Sequence, residues 1–305
     1  MINYDIIIIG GGAAGMSAAL YSLRSGKKVL ILEKENFGGQ IANSPRVENY
    51  PSIKEISGSD LSNNMFEQIT DLGCDFELED VLKIEKDKYS FIVETNYSKY
   101  TSLAVIIASG VKHRKINVSG EDELVGKGVS YCAVCDGAFY KDQEVALIGD
   151  ANTALQYSLL LSNYCKKVYL CTLFDKFFGE DILVKRIKER DNIEIHHNLN
   201  LVKFNYTNEL ESLVFNNTKT NEEVIIKVPC VFIAIGQIPD NERFSNLVEL
   251  DRGYIVTDEN MHTLTPGVFA AGDCRKKTIR QLTTAVSDGA ICAIEATNYI
   301  DSLNK

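Results

Sequence analysis

The segment VSYCAVCDGAFY places Cys132 and Cys135 two residues apart, with Asp136 directly after the second. At a helix start this spacing lets two sulfurs close a small disulfide ring, and the helix dipole favours the thiolate that disulfide exchange requires. A carboxyl at Asp136 can supply and remove the proton as the ring opens and closes. Zinc is the rival use of such a pair, but it needs four ligands, and no second Cys or His pair has suitable spacing. His196 and His197 are adjacent and do not converge as an i, i+4 pair would. The expectation is therefore a redox dithiol and no metal site. Cys74, Cys165, Cys171, Cys230 and Cys292 read as small core or surface residues, while Cys274 follows Asp273 in a cofactor-like segment.

Two strand-turn-helix openings must position this chemistry. DIIIIGGGAAGMSAALYSLRSGKKVLILEKE reads as a buried strand, a glycine turn, an alanine-rich helix ended by Gly26 and a second strand reaching Glu33. Gly10 permits the tight turn, Gly12 lets backbone amides approach a pyrophosphate, and Gly15 lets the helix pack close to the strand. Glu33, about 20 residues on, suits a carboxylate that accepts hydrogen bonds from an adenosine ribose. Together these predict a dinucleotide site.

The second opening, EVALIGDANTALQYSLLLSNYCKKVYLCTLFDKF, repeats the architecture with altered chemistry. Gly149 and Ala154 fit the first and last small positions, but the Cβ of Ala151 takes space a pyrophosphate needs. Asp150 adds a negative charge there. Where an arginine pair would hold a 2′-phosphate, Cys171, Thr172 and Leu173 present no charge. A third segment, TPGVFAAGDCRKKTIRQLTTAVSDGAICAIEATNYI, predicts a short strand over Val268 to Ala271, then a helix whose start at Arg280 to Leu282 aims amides at a reducible ring. A plain final strand and packing helix is the alternative.

At 305 residues with 45% hydrophobic composition the chain is long enough for two cores. Its net charge of −10 argues against a general nucleic-acid binder. No segment is long enough to span a membrane, and MINYDIIIIGGG lacks an export signal, so a cytoplasmic location is expected.

GGGAAG, EKENFGGQ, VENYP, CAVCDG, AIGQIPDN and TPGVFAAGDC...IRQ, in this order across nearly the whole length, resemble the low-molecular-weight thioredoxin reductases. The resemblance implies an α/β fold of two Rossmann-like three-layer domains: a discontinuous FAD domain over 1–115 and 244–305, and an inserted NAD(P)-type domain over 116–243 that carries the dithiol. It implies FAD as cofactor, surrounded by Gly10, Gly12, Ala14, Gly15, Glu33, Lys34, Gln40, Asn49, Asp273, Arg280, Gln281 and Leu282, with the backbone near Val81 at the adenine. It further implies that Cys135 faces the flavin, Cys132 attacks the disulfide of thioredoxin, Asp136 is the acid, the domains rotate between half-reactions, and the protein is a homodimer.

Where NADPH-using members of that family have a full glycine turn and an arginine-bearing segment, this chain has GDANTA and CTLFDKF. No tightly bound NADPH is expected. This departure resembles the ferredoxin-dependent flavin thioredoxin reductases of anaerobes and points to reduced ferredoxin as electron donor. Ferredoxins are generally acidic, so a docking face needs local positive charge, and two basic clusters are candidates to rim the flavin: Lys112, His113, Arg114 and Lys115, and Arg275, Lys276 and Lys277; a plain solvated charged surface is the alternative for each. Two other readings stay open: reduction by NAD(P)H through an atypical site, and a non-catalytic flavin and dithiol sensor that binds partners without turnover.

Overall fold

The computed structural model describes residues 2–44, 47 and 49–303. The chain forms two units, 1–112 with 238–305, and 113–237.

The first unit opens on β1 (Ile2–Ile9) and continues through α1 (Ala13–Arg24), β2 (Val29–Glu33), a 3-10 turn at Gly39–Asn43, α2 (Gly58–Thr70), β3 (Asp75–Leu78), β4 (Val81–Asp87), β5 (Ser90–Thr95) and β6 (Lys99–Ile107). The first crossing runs through β7 (Lys112–His113). The second unit contains β8 (Val129–Ser130), α3 (Ala133–Asp136), β9 (Glu144–Ile148), α4 (Asn152–Leu161), β10 (Lys167–Cys171), α5 (Asp181–Lys188), β11 (Ile193–His196), β12 (Leu199–Tyr206), β13 (Leu210–Asn217), β14 (Glu223–Ile226) and β15 (Val231–Ile233). The chain returns through β16 (Gln237–Ile238) to β17 (Leu250–Asp251), β18 (Tyr254–Ile255), β19 (Val268–Ala270) and α6 (Leu282–Leu303), completing the first unit.

The second half of β1, Ile6 to Ile9, is a continuous apolar run because it is covered on both faces. Side chains alternate across a strand, so Ile7 and Ile9 enter one core with Leu30, Leu32, Phe91, Val105 and Phe244. Ile6 and Ile8 enter the other with Ala14, Met16, Ile31, Ile106 and Ala296. The sheet runs β3-β2-β1-β6-β5-β4, with β19 beside β6. β1 pairs parallel with β2 and β6, whereas β4, β5 and β6 form an antiparallel meander. Gly15 seats α1 on β1: a Cβ there would lie 1.9 Å from the Gly10 carbonyl oxygen, so only glycine lets helix and turn approach this closely.

The second unit repeats the logic with a parallel sheet in the order β11-β10-β9-β15-β8. Val145 and Leu147 of β9 pack with Ala154, Leu155 and Leu161 of α4 and with Leu183 and Ile187 of α5. Ala146 and Ile148 pack on the other side with Phe204, Leu213 and Phe215 of the antiparallel sheet β12-β13-β14. Both units are thus α/β and Rossmann-like. Each fully buried Leu, Ile or Phe in these layers contributes roughly 1.5–3 kcal/mol. No helix among the described residues is long and apolar enough to cross a membrane.

Candidate active site

Cys132 and Cys135 form a disulfide with a Cα–Cα separation of 5.3 Å. Cys132 is the N-cap of α3, and its Sγ accepts a hydrogen bond from the Cys135 amide at 3.2 Å. α3 is a helix start, as expected, but has only four residues, so this amide is the specific donor and the dipole behind it is small. Both cysteines are half-buried, and Val134 between them is exposed. On the N-terminal side the Tyr131 hydroxyl donates to Glu121 Oε1 at 2.7 Å. Buried Glu121 also accepts the amides of Ile116 at 3.0 Å and Asn117 at 2.7 Å, fixing the residue before Cys132.

Asp136 is half-buried. Its Oδ2 accepts from Ser130 Oγ at 2.6 Å, and its Oδ1 is buried without a hydrogen-bond partner. Burial pushes its carboxyl above the ordinary value, against the opposing pull of the Ser130 hydrogen bond. A carboxyl so placed holds its proton to higher pH than a solvated one. That is the property an acid needs when a sulfur leaves as thiolate. The other cysteines are all buried and unpaired, Cys274 included, so that segment offers no second thiol to solvent. Among the described residues no group of three or more His, Cys, Asp or Glu side chains is placed to hold a metal ion.

The first unit gathers the residues expected around a dinucleotide from three stretches of chain. In the first, Gly12 caps α1 with no side chain on its amides, and a Cβ built there would meet open space. Glu33, at the end of β2, accepts the Gly11 amide through Oε2 at 2.6 Å. Gly39 brings the second stretch to the turn, its Cβ direction ending 3.4 Å from Gly12 Cα, and the neighbouring Gln40 side chain donates through Nε2 to the Val111 carbonyl. In the third, Gly272 abuts the Ala14 methyl, a contact of 2.8 Å for a Cβ at 272. Arg280 donates to the Asp273 carbonyl at 3.3 Å and stands 4.3 Å from the Tyr254 ring centre. Asn49 reaches Gln281 Oε1 at 3.5 Å, and Leu282 begins α6.

A cleft lined by Gly10, Glu33, Lys34, Asp80, Val81 and Arg243 continues from the turn. Lys34 pairs with Asp240 at 3.1 Å. The Val81 carbonyl is engaged by Arg243 at 2.9 Å, and the same guanidinium binds Asp80 at 2.7 Å and Asp240 at 2.6 Å. The sequence reading missed Arg243, which joins two distant stretches. The Oδ1 of Asp273 is buried, with Lys277 Nζ 3.5 Å away in a long ion pair and no closer donor, and burial raises its carboxyl despite Lys277 and Arg280. An open amide turn, a carboxylate at the end of the second strand and a buried acceptor held only by a long ion pair fit a ligand carrying phosphates and hydroxyls.

The second basic cluster departs from expectation. Asp288 on α6, 7% exposed, accepts Arg275 Nε at 2.8 Å, Lys277 Nζ at 3.0 Å and the Gly272 amide at 3.0 Å. Arg275 is 15% and Lys277 9% exposed, so neither is a free docking charge; a buried carboxylate recruits both. Lys276 is exposed but pairs with Asp251 at 2.7 Å. In the first cluster Lys112 pairs with Glu35 and Lys115 with Asp122, each at 2.6 Å. His113 stacks on Tyr131 at 5.0 Å, and burial pushes it down to about 4, so it is uncharged at neutral pH. Both clusters carry much less free positive charge than their sequences suggest.

Burial pushes the Asp288 carboxyl up, yet hydrogen bonds from Arg275 and Lys277 outweigh burial and hold it below its ordinary value. Its contribution to stability is therefore present above the unfolded carboxylate value and is lost as pH falls through the lower folded value. Asp288→Asn strands two buried cations and is expected to cost about 3–5 kcal/mol. Thermal melts between neutral and acid pH check both: the variant melts lower at neutral pH, and the gap closes on acidification.

In the second unit, Ala151 is the N-cap of α4, exposed, with no side-chain hydrogen bond at the helix start. Asp150 sits beside it, its carboxyl raised by burial, and its carbonyl accepts the Phe178 amide at 2.7 Å. After β10, Thr172 Oγ1 lies 2.6 Å from the Phe174 carbonyl and 2.7 Å from His197 Nδ1, while Leu173 and Phe174 are exposed. This end of the strand offers apolar side chains where a phosphate would need guanidinium groups.

The pyridine nucleotide-disulphide oxidoreductase family matches residues 4–289, and the chain belongs to it. FAD is the cofactor, and the cradle of the first unit fits it. The chain is 38% identical to the thioredoxin reductase of Bacillus subtilis, over 99% of this chain and 96% of that protein. The thioredoxin reductase structure from Streptococcus pyogenes MGAS5005 superposes with a TM-score of 0.95 at 36% identity, covering 98% of this chain and 99% of that one. A ferredoxin-flavin thioredoxin reductase from Clostridium acetobutylicum gives 0.55 at 29% identity, covering 100% and 99%.

Proposed function

We propose that this protein is a flavin-dependent thioredoxin reductase that passes electrons through FAD to the Cys132–Cys135 disulfide and then to thioredoxin, with reduced ferredoxin rather than NADPH as donor. The flavoenzyme assignment rests on the family and on the dithiol and its acid standing intact. The donor assignment rests on one observation: the β9–α4 turn carries Asp150 and the exposed methyl of Ala151 where a pyrophosphate would sit, and Leu173 where a 2′-phosphate would need arginine.

FAD, when bound, supplies the electron pair that opens the disulfide. The protein's own groups do the rest. Cys132 as thiolate attacks one sulfur of the partner disulfide, forming a mixed disulfide and releasing one partner sulfur, which takes up a proton. Cys135 then attacks Cys132, restoring the ring and releasing the second partner sulfur, which is protonated in turn. Asp136 holds a proton for this exchange. The residues singled out around FAD and the roles of the two cysteines belong to this reading, as do the homodimer and the cytoplasmic location; the buried free thiols suit a reducing compartment.

Reduction by NAD(P)H is the second reading, favoured by relatives at 36–38% identity that are named thioredoxin reductases with no mention of ferredoxin. Loss of several phosphate contacts costs a few kcal/mol, or about two decades of affinity. Anaerobic stopped-flow mixing separates the readings: reduced ferredoxin is expected to bleach the flavin rapidly and NADPH slowly. A D150G/A151G/L173R variant is expected to gain at least about tenfold in NADPH-driven bleaching. Rapid bleaching of the unaltered protein by micromolar NADPH, with ferredoxin inert, selects the second reading.

A further inference from the structure

Ser130 ends β8, whose register sets it opposite Phe232 of β15, and its side chain is buried at 6% exposure. One oxygen serves two partners. Its proton goes to Asp136 Oδ2 at 2.6 Å, while a lone pair accepts the Cys132 amide at 3.1 Å. The Cys132 carbonyl, 3.5 Å away, is the only other acceptor near that proton, and the shorter contact to a carboxyl prevails. The backbone of the attacking cysteine and the carboxyl of its acid are thus joined through a single hydroxyl.

The surroundings leave Asp136 no other anchor. The titratable groups facing it are Cys132 and Cys135 of its own motif, Tyr140 just beyond, Tyr157 of α4 and Cys230 before β15. Burial pushes Tyr140, Tyr157 and Cys230 upward, so all three are neutral at working pH. Among the described residues no cation pairs with Asp136, and Ser130 is its one hydrogen-bond donor.

We propose that Ser130 is a positioning residue for disulfide exchange: its hydroxyl fixes the Asp136 carboxyl relative to the Cys132 backbone and sets the pH at which the acid gives up its proton. This rests on the reading of Asp136 as the acid of the dithiol. A hydrogen bond donated to a carboxyl favours its ionised form. Without the hydroxyl, Asp136 stays protonated to higher pH, and the alkaline fall in exchange rate moves upward.

The test uses the FAD-loaded enzyme with its dithiol chemically reduced, mixed with a small alkyl disulfide, whose high-pKa leaving thiolate calls on the acid, in single turnovers across pH, so that no electron donor enters. The rising limb belongs to thiol ionisation and the falling limb to the acid. Ser130→Ala is expected to shift the falling limb up by about one pH unit. Ser130→Thr, which keeps the hydroxyl, is expected to leave it in place. Asp136→Asn is expected to remove it. A falling limb that survives in D136N overturns the acid assignment itself. A limb lost in D136N but unmoved in S130A overturns the role of Ser130 alone. Should S130A fail to fold, a limb displaced in S130T overturns the proposal, and one unchanged there supports it.

Discussion

Replacing either cysteine of the disulfide is expected to lower thioredoxin reduction by about 10⁴-fold or more, since the two sulfurs act as one unit and neither works alone. The two variants should still differ. Cys135→Ser leaves Cys132 as a lone thiol that attacks but cannot be resolved, so it accumulates a mixed disulfide with thioredoxin; Cys132→Ser does not. Gel shift under non-reducing conditions reads the difference, and bleaching of the flavin by the donor checks that the first unit is intact in both. Trapping by Cys132→Ser and not by Cys135→Ser would reverse the roles given to the sulfurs. Turnover by either variant would remove the dithiol from the mechanism.

Asp136→Asn is expected to slow exchange by about 10²–10⁴-fold, the usual contribution of a placed proton donor. Stability should respond in the other direction. Burial raises the Asp136 carboxyl in the folded protein, so ionising it at neutral pH opposes folding; that penalty is absent below the unfolded value and grows as pH rises between the unfolded and folded values. An amide carries no such charge. The variant should therefore melt at the same temperature or higher at neutral pH while losing activity, a split that a purely structural aspartate would not give. Parallel melts and single-turnover rates measure it, and a variant that loses both together would make Asp136 a packing residue.

Much of this site was legible in one dimension. Cys132, Cys135 and Asp136 lie within five residues, so the short closure of a one-turn helix brings them together wherever the unit folds. Gly10, Gly12, Gly15 and Glu33 follow from a strand-turn-helix-strand repeat whose geometry is local and periodic. The altered residues of the second turn are visible for the same reason, since Asp150 and Ala151 depart from a pattern only a few residues long.

The charged clusters were not. Arg275, Lys276 and Lys277 look alike as neighbours in sequence, yet Asp288, 13 residues beyond Arg275, takes the first and third into the interior and leaves the second at the surface. Arg243 reaches Asp80 across 163 positions, and Ser130 gains its meaning only from the niche that burial makes around Asp136. Residue types and short spacings determined the fold class, the dithiol and the nucleotide turns, because these depend on backbone periods and small closures. Tertiary structure alone decided which charges are free, which carboxyls keep their protons and which hydroxyl sets them, because those depend on burial and on partners that distant chain segments supply.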